Sequence, residues 1–357
     1  MRKEGRSRVQ AIEPVRLVLI GLGMATRPHL EAFADPSSFI EVAGIHNRGR
    51  AKADAVAERH GYRIYDMLED IAADAGVEAV VIATPPDQRS EIVEMMARAG
   101  KHILIEKPLE RTLAAARHLV ETCESHQVHL GVVLQHRFRV GAKRLHNLVA
   151  GGALGEIALV RVEVPWWRDQ AYYDEPGRGT YGRDGGGVLI SQAIHTLDLM
   201  LSLTGAAETV QSFCATTRLH SMEAEDFATA GVRFESGAIG SIVATTASFP
   251  GSPESIIIDG TLATATLRAG WLEVIWRDGS REETGEPAVT GAGADPMAFP
   301  SDWHRELIAD FALAIRQNRP PRITGREALS VHALIEAMTR SSLEGRVARV
   351  EPVRARF

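Results

Sequence analysis

The stretch from Gly185 to Leu201 carries a serine, a histidine and an aspartate inside a largely apolar run. After its three glycines the residues are apolar nearly all round, which predicts a buried helix. Ser191, His195 and Asp198 fall at i, i+4 and i+7 and share one face. A polar stripe on a buried helix must find partners or lose its solvation. It is therefore expected to line a cavity, where His195 can exchange a proton near neutral pH and Asp198, one turn on, can hold it. The competing reading is a core histidine satisfied by that aspartate. A second reactive side chain, Lys107 in Glu106-Lys107-Pro108, follows an apolar strand at 102–105. Taken alone, it reads equally as a surface lysine beside a turn proline.

A third constellation says what the lysine would face. An apolar strand at 15–20 runs straight into Gly21-Leu22-Gly23-Met24-Ala25-Thr26. A strand, a tight glycine turn and a helix bring backbone N–H groups and the positive helix end to one point, which suits a pyrophosphate. Gly21 permits the turn and Gly23 the approach of the phosphate, and Met24 and Ala25 of the same turn count with them as cofactor-binding candidates. Thr26 replaces the third glycine of the fingerprint, so the match is partial. The second strand ends about 20 residues on, where the ribose is read. There the chain offers Asn47-Arg48 in place of a carboxylate. Asn47 does not repel a 2′-phosphate, and Arg48 either pairs with one or is a solvated loop cation. NAD and NADP are both permitted. Thr84-Pro85-Pro86 follows a further strand, where it either borders the same crevice or is a rigid turn with no contact. Gln135-His136-Arg137 ends the last strand and faces that crevice, where Lys107 points to the nicotinamide end.

The elements that must position these groups change character near residue 139. Before it, strands at 15–20, 40–46, 79–83, 102–105 and 128–134 alternate with helices at 28–34, 50–60, 89–99 and 112–127, which means a parallel sheet with helices on both faces. After a basic helix at 143–150 come seven extended segments between 157 and 277 separated by glycine turns, a mostly antiparallel sheet. A loose arm is expected over 1–13 and a long Gly/Pro/Ala-rich loop over 279–301. Helices are expected at 303–316 and 326–342, the first packing back on the nucleotide-binding half. The fold class is α/β, with a dinucleotide-binding domain over 14–138 and a substrate-binding and oligomerisation domain over 139–357. Trp166-Trp167-Arg168 and the cluster Tyr172, Tyr173, Arg178, Tyr181 and Arg183 precede the glycines. Aromatics beside arginines suit a polyol ring or an anionic group, or else a packed or subunit-contacting loop.

Composition narrows the classes. With 40 basic and 46 acidic residues the formal charge is −6, which argues against a nucleic-acid binder relying on a broad basic surface. The two cysteines, Cys123 and Cys214, show no metal-ligand spacing, no metal site is expected, and the simplest compartment is a reducing cytoplasm. The basic start (Arg2, Lys3, Arg6, Arg8) leads into a glycine turn and not a cleavage site. No stretch approaches the ~20 apolar residues of a membrane span.

The glycine turn, Ala83-Thr84-Pro85-Pro86, Glu106-Lys107-Pro108, the Gly185–His195 segment and the closing helical pattern from Trp303 to Ser342 together resemble the Gfo/Idh/MocA oxidoreductases, the group of glucose–fructose oxidoreductase and inositol dehydrogenase. The resemblance covers nearly the whole chain. It implies a Rossmann domain followed by a mostly antiparallel α/β domain whose open sheet mediates dimers or tetramers. It also implies that Lys107 and His195 are the catalytic pair. The implied reaction is hydride transfer between NAD(P) and a carbinol or ketone of a sugar or cyclitol: His195 takes the hydroxyl proton, Lys107 stabilises the alkoxide, and Ser191 orients substrate or imidazole. Glu106 and Gln135 join the cofactor set, and Arg137, Trp167, Arg168, Tyr181 and Arg183 join Ser191 and His195 as substrate contacts. Two positions depart from the family: Ser191 stands where inositol dehydrogenase-like members have aspartate, and Gln88-Arg89 replaces a histidine often found after the Thr-Pro segment. The resemblance also implies two further classes, an NAD-retaining glycoside hydrolase and a dinucleotide-sensing regulator.

Overall fold

The computed structural model describes residues 12–287, 293 and 299–353. The expected N-terminal arm therefore lies, up to residue 11, outside the described residues. Five strands make the first sheet: β1 (Val15–Ile20), β2 (Ile40–His46), β3 (Ala79–Ile82), β4 (His102–Glu106) and β5 (Leu130–Val133). All neighbours are parallel, in the order β2-β1-β3-β4-β5. Strands β3 and β5 bury every side chain, the signature of a parallel sheet covered on both faces. Its helices are α1 (Thr26–Phe33), α2 (Arg50–His60), α3 (Leu68–Ala73), α4 (Arg89–Arg98) and α5 (Leu113–Ser125). The short α3 gave no periodic signal. The chain order reverses beside β1, so a crevice opens at the carboxyl ends of β1, β3, β4 and β5.

Helix α6 (Val140–Ala150) leads to the second sheet. Its strands are β6 (Ile157–Pro165), β7 (Ala207–Ala215), β8 (Phe227–Phe234), β9 (Ile239–Thr245), β10 (Ser255–Gly260), β11 (Ala263–Arg268), β12 (Trp271–Trp276), β13 (Arg281–Thr284) and, after the last helix, β14 (Ala348–Arg349). The order is β13-β12-β11-β10-β6-β9-β8-β7-β14, antiparallel except for the parallel pair β6–β9. Alternation decides the faces: Val160, Val162 and Val164 of β6 turn inward with Ile242 and Ala244 of β9 and Val232 of β8. Three helices cover that face: α6 over β11–β13, α8 (Ile194–Thr204) over β6 and β10, and α10 (Gly325–Glu344) over β7. A short α7 (Gln170–Tyr173) precedes α8. Strand β13 falls inside the region expected to be loop; residues 288–292 and 294–298 of that loop lie outside the described residues.

Helix α9 (Asp302–Gln317) packs on α1 and β1, bringing its first turn back to the crevice of the parallel sheet. The predicted single helix over the Ser191–Asp198 stripe is two pieces, because residues Leu189–Ala193 form a π turn ahead of α8. No helix among the described residues is long and apolar enough to cross a membrane.

Candidate active site

The first wall of the crevice is built by the strand ends of the parallel sheet. Gly21 sits at φ +95°, and a Cβ there would lie 2.8 Å from the Thr84 backbone nitrogen. Only glycine lets the β1 and β3 ends come this close. The Asn47 carboxamide is already employed: its oxygen accepts from Leu22 N at 3.0 Å and its nitrogen donates to Gly49 O at 2.8 Å. Arg48 is exposed. Buried Arg89, on the first turn of α4, clamps two rims together. It donates to Thr84 O through Nε (3.0 Å) and Nη2 (2.7 Å), and through Nη1 to Glu106 O and Pro108 O. Burial pushes this guanidinium down to about 10.

At the β4 end, Glu106 accepts from His29 Nε2 at 2.7 Å and both are buried. The His304 ring of α9 stands edge-on to His29, with centroids 5.3 Å apart. One donor atom from each of His29, Glu106 and His304 lies within 4.8 Å of the others, although no metal-ligand spacing exists in the sequence. The His29–Glu106 hydrogen bond already joins two of the three. The next residue, Lys107, precedes a cis Pro108. Its Nζ donates to the Ser191 carbonyl oxygen at 2.6 Å, across 84 positions of sequence. Burial pushes the ammonium down to about 8, with the Glu106 carboxylate acting against that.

The second wall begins with a sharp backbone contact. A Cβ on Gly187 would lie 1.8 Å from the Glu225 carbonyl oxygen. The Glu225 carboxylate accepts from Gly187 N and Leu189 N, each at 3.1 Å, and so caps the segment that carries the histidine. His195 is buried and held well below the usual imidazole range, first by burial and then by the cations Lys107 and Arg139 and by His304. It is neutral at physiological pH. Its ring stacks on His136 at 4.9 Å with a 27° tilt. The expectation that Asp198 holds His195 is corrected: Asp198 is taken by Arg137, whose Nε and Nη2 donate to its two oxygens at 2.7 and 2.6 Å. Asp198 is buried and Arg137 largely so, and two-pronged pairing outcompetes a single imidazole bond.

The crevice holds about 1290 Å³ of free space, its mouth included. Gly23, Met24, Ala25, Thr84, Pro85, Glu106, Lys107 and Gln135 line one side, and Arg168, Arg183, Ser191 and His195 line the other. Three residues expected at the substrate lie elsewhere. Arg137 is spent on Asp198. Trp167 packs against His220 (5.7 Å) and Phe249 (5.4 Å), while its neighbour Trp166 lines the crevice. The reason is strand parity: β6 turns even-numbered residues inward, and Trp166 continues that alternation. Tyr181 is 46% exposed and lines a separate hollow with Glu225 and His332, whereas Tyr172 faces the crevice. Sequence reasoning missed Arg139, Glu225, Phe299 and Trp303. Only for Trp303 did a local signal exist, its place one residue before His304 on the returning helix.

Polar atoms left without partners concentrate here. Thr84 Oγ1, Gln135 Oε1, His136 Nδ1, Arg139 Nε, Gln192 Oε1, His195 Nδ1 and His304 Nδ1 are buried without a hydrogen-bond partner among the described residues, and all seven side chains line this crevice. Buried polar groups are normally satisfied, so this wall is built for a polar ligand. The glycine cradle and these orphaned atoms together fit a dinucleotide with a polar substrate beside it.

Comparison with known proteins agrees. Residues 15–134 match the oxidoreductase family model described as an NAD-binding Rossmann fold, and residues 142–266 match the GFO/IDH/MocA C-terminal domain. The chain is 27% identical over 348 residues to D-apiose dehydrogenase of Paraburkholderia graminis, covering 94% of this chain and 90% of that protein. It is 26% identical over 356 residues to myo-inositol 2-dehydrogenase of Thermotoga maritima, covering 95% and 99%. Among solved structures, the WlbA dehydrogenase of Bordetella pertussis in complex with NADH and UDP-GlcNAcA superposes with a TM-score of 0.82 at 28% identity, covering 95% of this chain and 100% of that one. A Rossmann crevice lined by both Lys107 and His195 and family matches over both halves lead to one conclusion: the chain belongs to the Gfo/Idh/MocA family and is an NAD(P)-dependent oxidoreductase.

Proposed function

We propose that this enzyme moves a hydride between NAD(P) and a CH–OH group of a sugar or cyclitol, with Lys107 and His195 as its catalytic pair. The observation that carries the reading is the bond from the Lys107 ammonium to the Ser191 carbonyl, four residues ahead of His195. It ties the ammonium of one sheet to the helix that bears the imidazole. The relatives named for apiose and myo-inositol support the substrate class.

The backbone of Gly21–Ala25 at the start of α1 would hold the pyrophosphate, Thr84, Pro85, Glu106 and Gln135 the nicotinamide half, and Asn47 and Arg48 the adenosine ribose. When bound, the nicotinamide supplies the hydride acceptor or donor. His195, neutral and with Nδ1 away from solvent, offers its other nitrogen to the hydroxyl proton of the carbinol. Lys107 hydrogen-bonds the same oxygen and stabilises the alkoxide as the C–H bond weakens. Ser191, Arg168 and Arg183 orient the substrate, and reduction runs the same roles backward.

The working units are the segments 14–138 and 139–357. Residues Phe213, Ile239 and Val243 stand exposed on β7 and β9, on the face of the large sheet turned away from its helices. That apolar face supports a homodimer or homotetramer formed through the sheet. Cys123 and Cys214 are free thiols, which suits a cytoplasmic enzyme. The test is a panel of sugars, sugar acids and inositols, assayed with NAD and NADP separately by nicotinamide absorbance. Turnover with at least one of them, abolished in His195→Ala while the cofactor still binds, is expected; undiminished turnover in that variant overturns the assignment.

A further inference from the structure

His195 lacks a hydrogen-bonded side-chain partner among the described residues. Asp198 is spent on Arg137, Ser191 turns its carbonyl to Lys107, and His195 Nδ1 is buried without a partner. What His195 has is the face of His136, 4.9 Å away. That second ring is itself held. Its Nε2 meets Arg139 Nη2 at 2.6 Å. A guanidinium only donates, so Nε2 must carry the lone pair and Nδ1 the proton. Arg139 is anchored in turn: Nη1 donates to Glu254 and, at 3.0 Å, to Ala269 O, while its plane lies 4.4 Å over the Trp303 ring. The other Glu254 oxygen accepts from Trp166 Nε1 at 3.1 Å.

This column runs from Glu254, just ahead of β10, through the turn after β5 to α8, and every member of it is buried. Apolar residues of similar volume would fill such a space at less cost than a buried ion pair. Yet two imidazoles stand at its crevice end, each with an unpartnered nitrogen. We infer that His136 is the positioning residue for His195: Glu254 holds Arg139, Arg139 fixes the tautomer and tilt of His136, and the His136 face holds the His195 ring toward the crevice. The inference rests on the proposed dehydrogenase reading. The groups that face His195 are Lys107 from the turn after β4, Arg139 and His136 from the turn after β5, and His304 from α9. Both cations among them favour the neutral ring.

The test compares His136→Ala, His136→Phe and His136→Gln. Phe keeps the ring face; Gln keeps an acceptor for Arg139 but no ring. His136→Ala is expected to lower kcat about 10- to 100-fold, as a misplaced catalytic group does, with nicotinamide binding unchanged. His136→Phe is expected to recover most of that loss and His136→Gln little of it. An unchanged kcat in His136→Ala, or equal rescue by Gln, overturns the inference. Arg139→Gln is expected to move the acid limb of the kcat/KM profile upward, toward an ordinary histidine, and Arg139→Lys to leave it in place; an unmoved limb in Arg139→Gln counts against the role of Arg139. In cofactor-free enzyme with labelled histidines, the His195 ring C–H resonance, identified by its loss in His195→Ala, is expected to shift in His136→Ala as the stacked ring current disappears. An unshifted resonance overturns the stack. A wild type that turns over no sugar with either cofactor would defeat the dehydrogenase reading, while the resonance experiment would still decide the positioning.

Discussion

Lys107→Met separates a catalytic lysine from a structural one. Burial takes the ammonium from 10.5 to about 8. At about 1.4 kcal/mol per pH unit, keeping it charged costs the fold on the order of 3 kcal/mol, an upper bound because the crevice leaves one side of the ammonium wet. The sign follows from linkage. The folded state holds its proton less tightly than the unfolded chain, so the cost is fully present below pH 8 and disappears as pH rises through the unfolded value. Methionine keeps the apolar stem and removes the charge. It forfeits the hydrogen bond to the Ser191 carbonyl, about 1.5–3 kcal/mol for a charged donor. The two effects nearly offset, so Lys107→Met is expected to be no less stable than wild type at pH 7 in urea unfolding. Its kcat is expected to fall about 10²- to 10³-fold, the loss typical of one oxyanion donor, with cofactor affinity unchanged by fluorescence titration. Turnover within a few-fold of wild type refutes the catalytic role. A parallel collapse of stability and activity would make the lysine a strut between the sheets.

Other outcomes follow from the same structure. Gly21→Ala forces a left-handed backbone, costing roughly 1–2 kcal/mol, and drives a Cβ against the Thr84 backbone; a lower melting temperature and weaker cofactor binding are expected together, and wild-type binding would count against the cradle. Asp198→Ala strands the Arg137 guanidinium with only Glu327 at 3.8 Å, so a loss of about 3 kcal/mol is expected; the double variant Arg137→Met/Asp198→Leu is expected to lose less, and a larger loss in the double would refute the pairing. Burial takes His304 down to about 3 and His332 to about 4. Each stays neutral in the fold while the unfolded chain takes up a proton near pH 6.5, so stability is expected to fall between pH 6.5 and pH 4 by on the order of 1 kcal/mol per pH unit for each. A flat stability profile across that range, in chemical unfolding followed at several pH values, would contradict their burial.

Much of the site was legible because its chemistry is written locally. A glycine turn directly after an apolar strand, a lysine at a strand rim and a histidine in a buried helix each need only a few neighbouring residues to be recognised. The alternation of β6 could even have chosen Trp166 over Trp167, since a pleated strand sends successive side chains to opposite faces. Asp198 misled because helical spacing gives proximity to His195 but says nothing of competitors, and Arg137 lies 61 positions away. The π turn at Leu189–Ala193 left no mark in the apolar pattern, because its residues are apolar in any register.

Local sequence was enough for the α/β class, and enough to single out the glycine turn, Lys107 and His195 as candidates, since strand and helix periodicity and turn chemistry act over a handful of residues. Tertiary structure alone decided who partners whom. Arg139 meets Glu254 across 115 positions, His29 meets Glu106 across 77, and Lys107 meets the Ser191 carbonyl across 84. Buried charges must be paired wherever the packed chain happens to offer a partner; that choice is made by a helix packing on its own sheet for His29 and Glu106 and by contacts between the two halves for Lys107, and no local pattern encodes either.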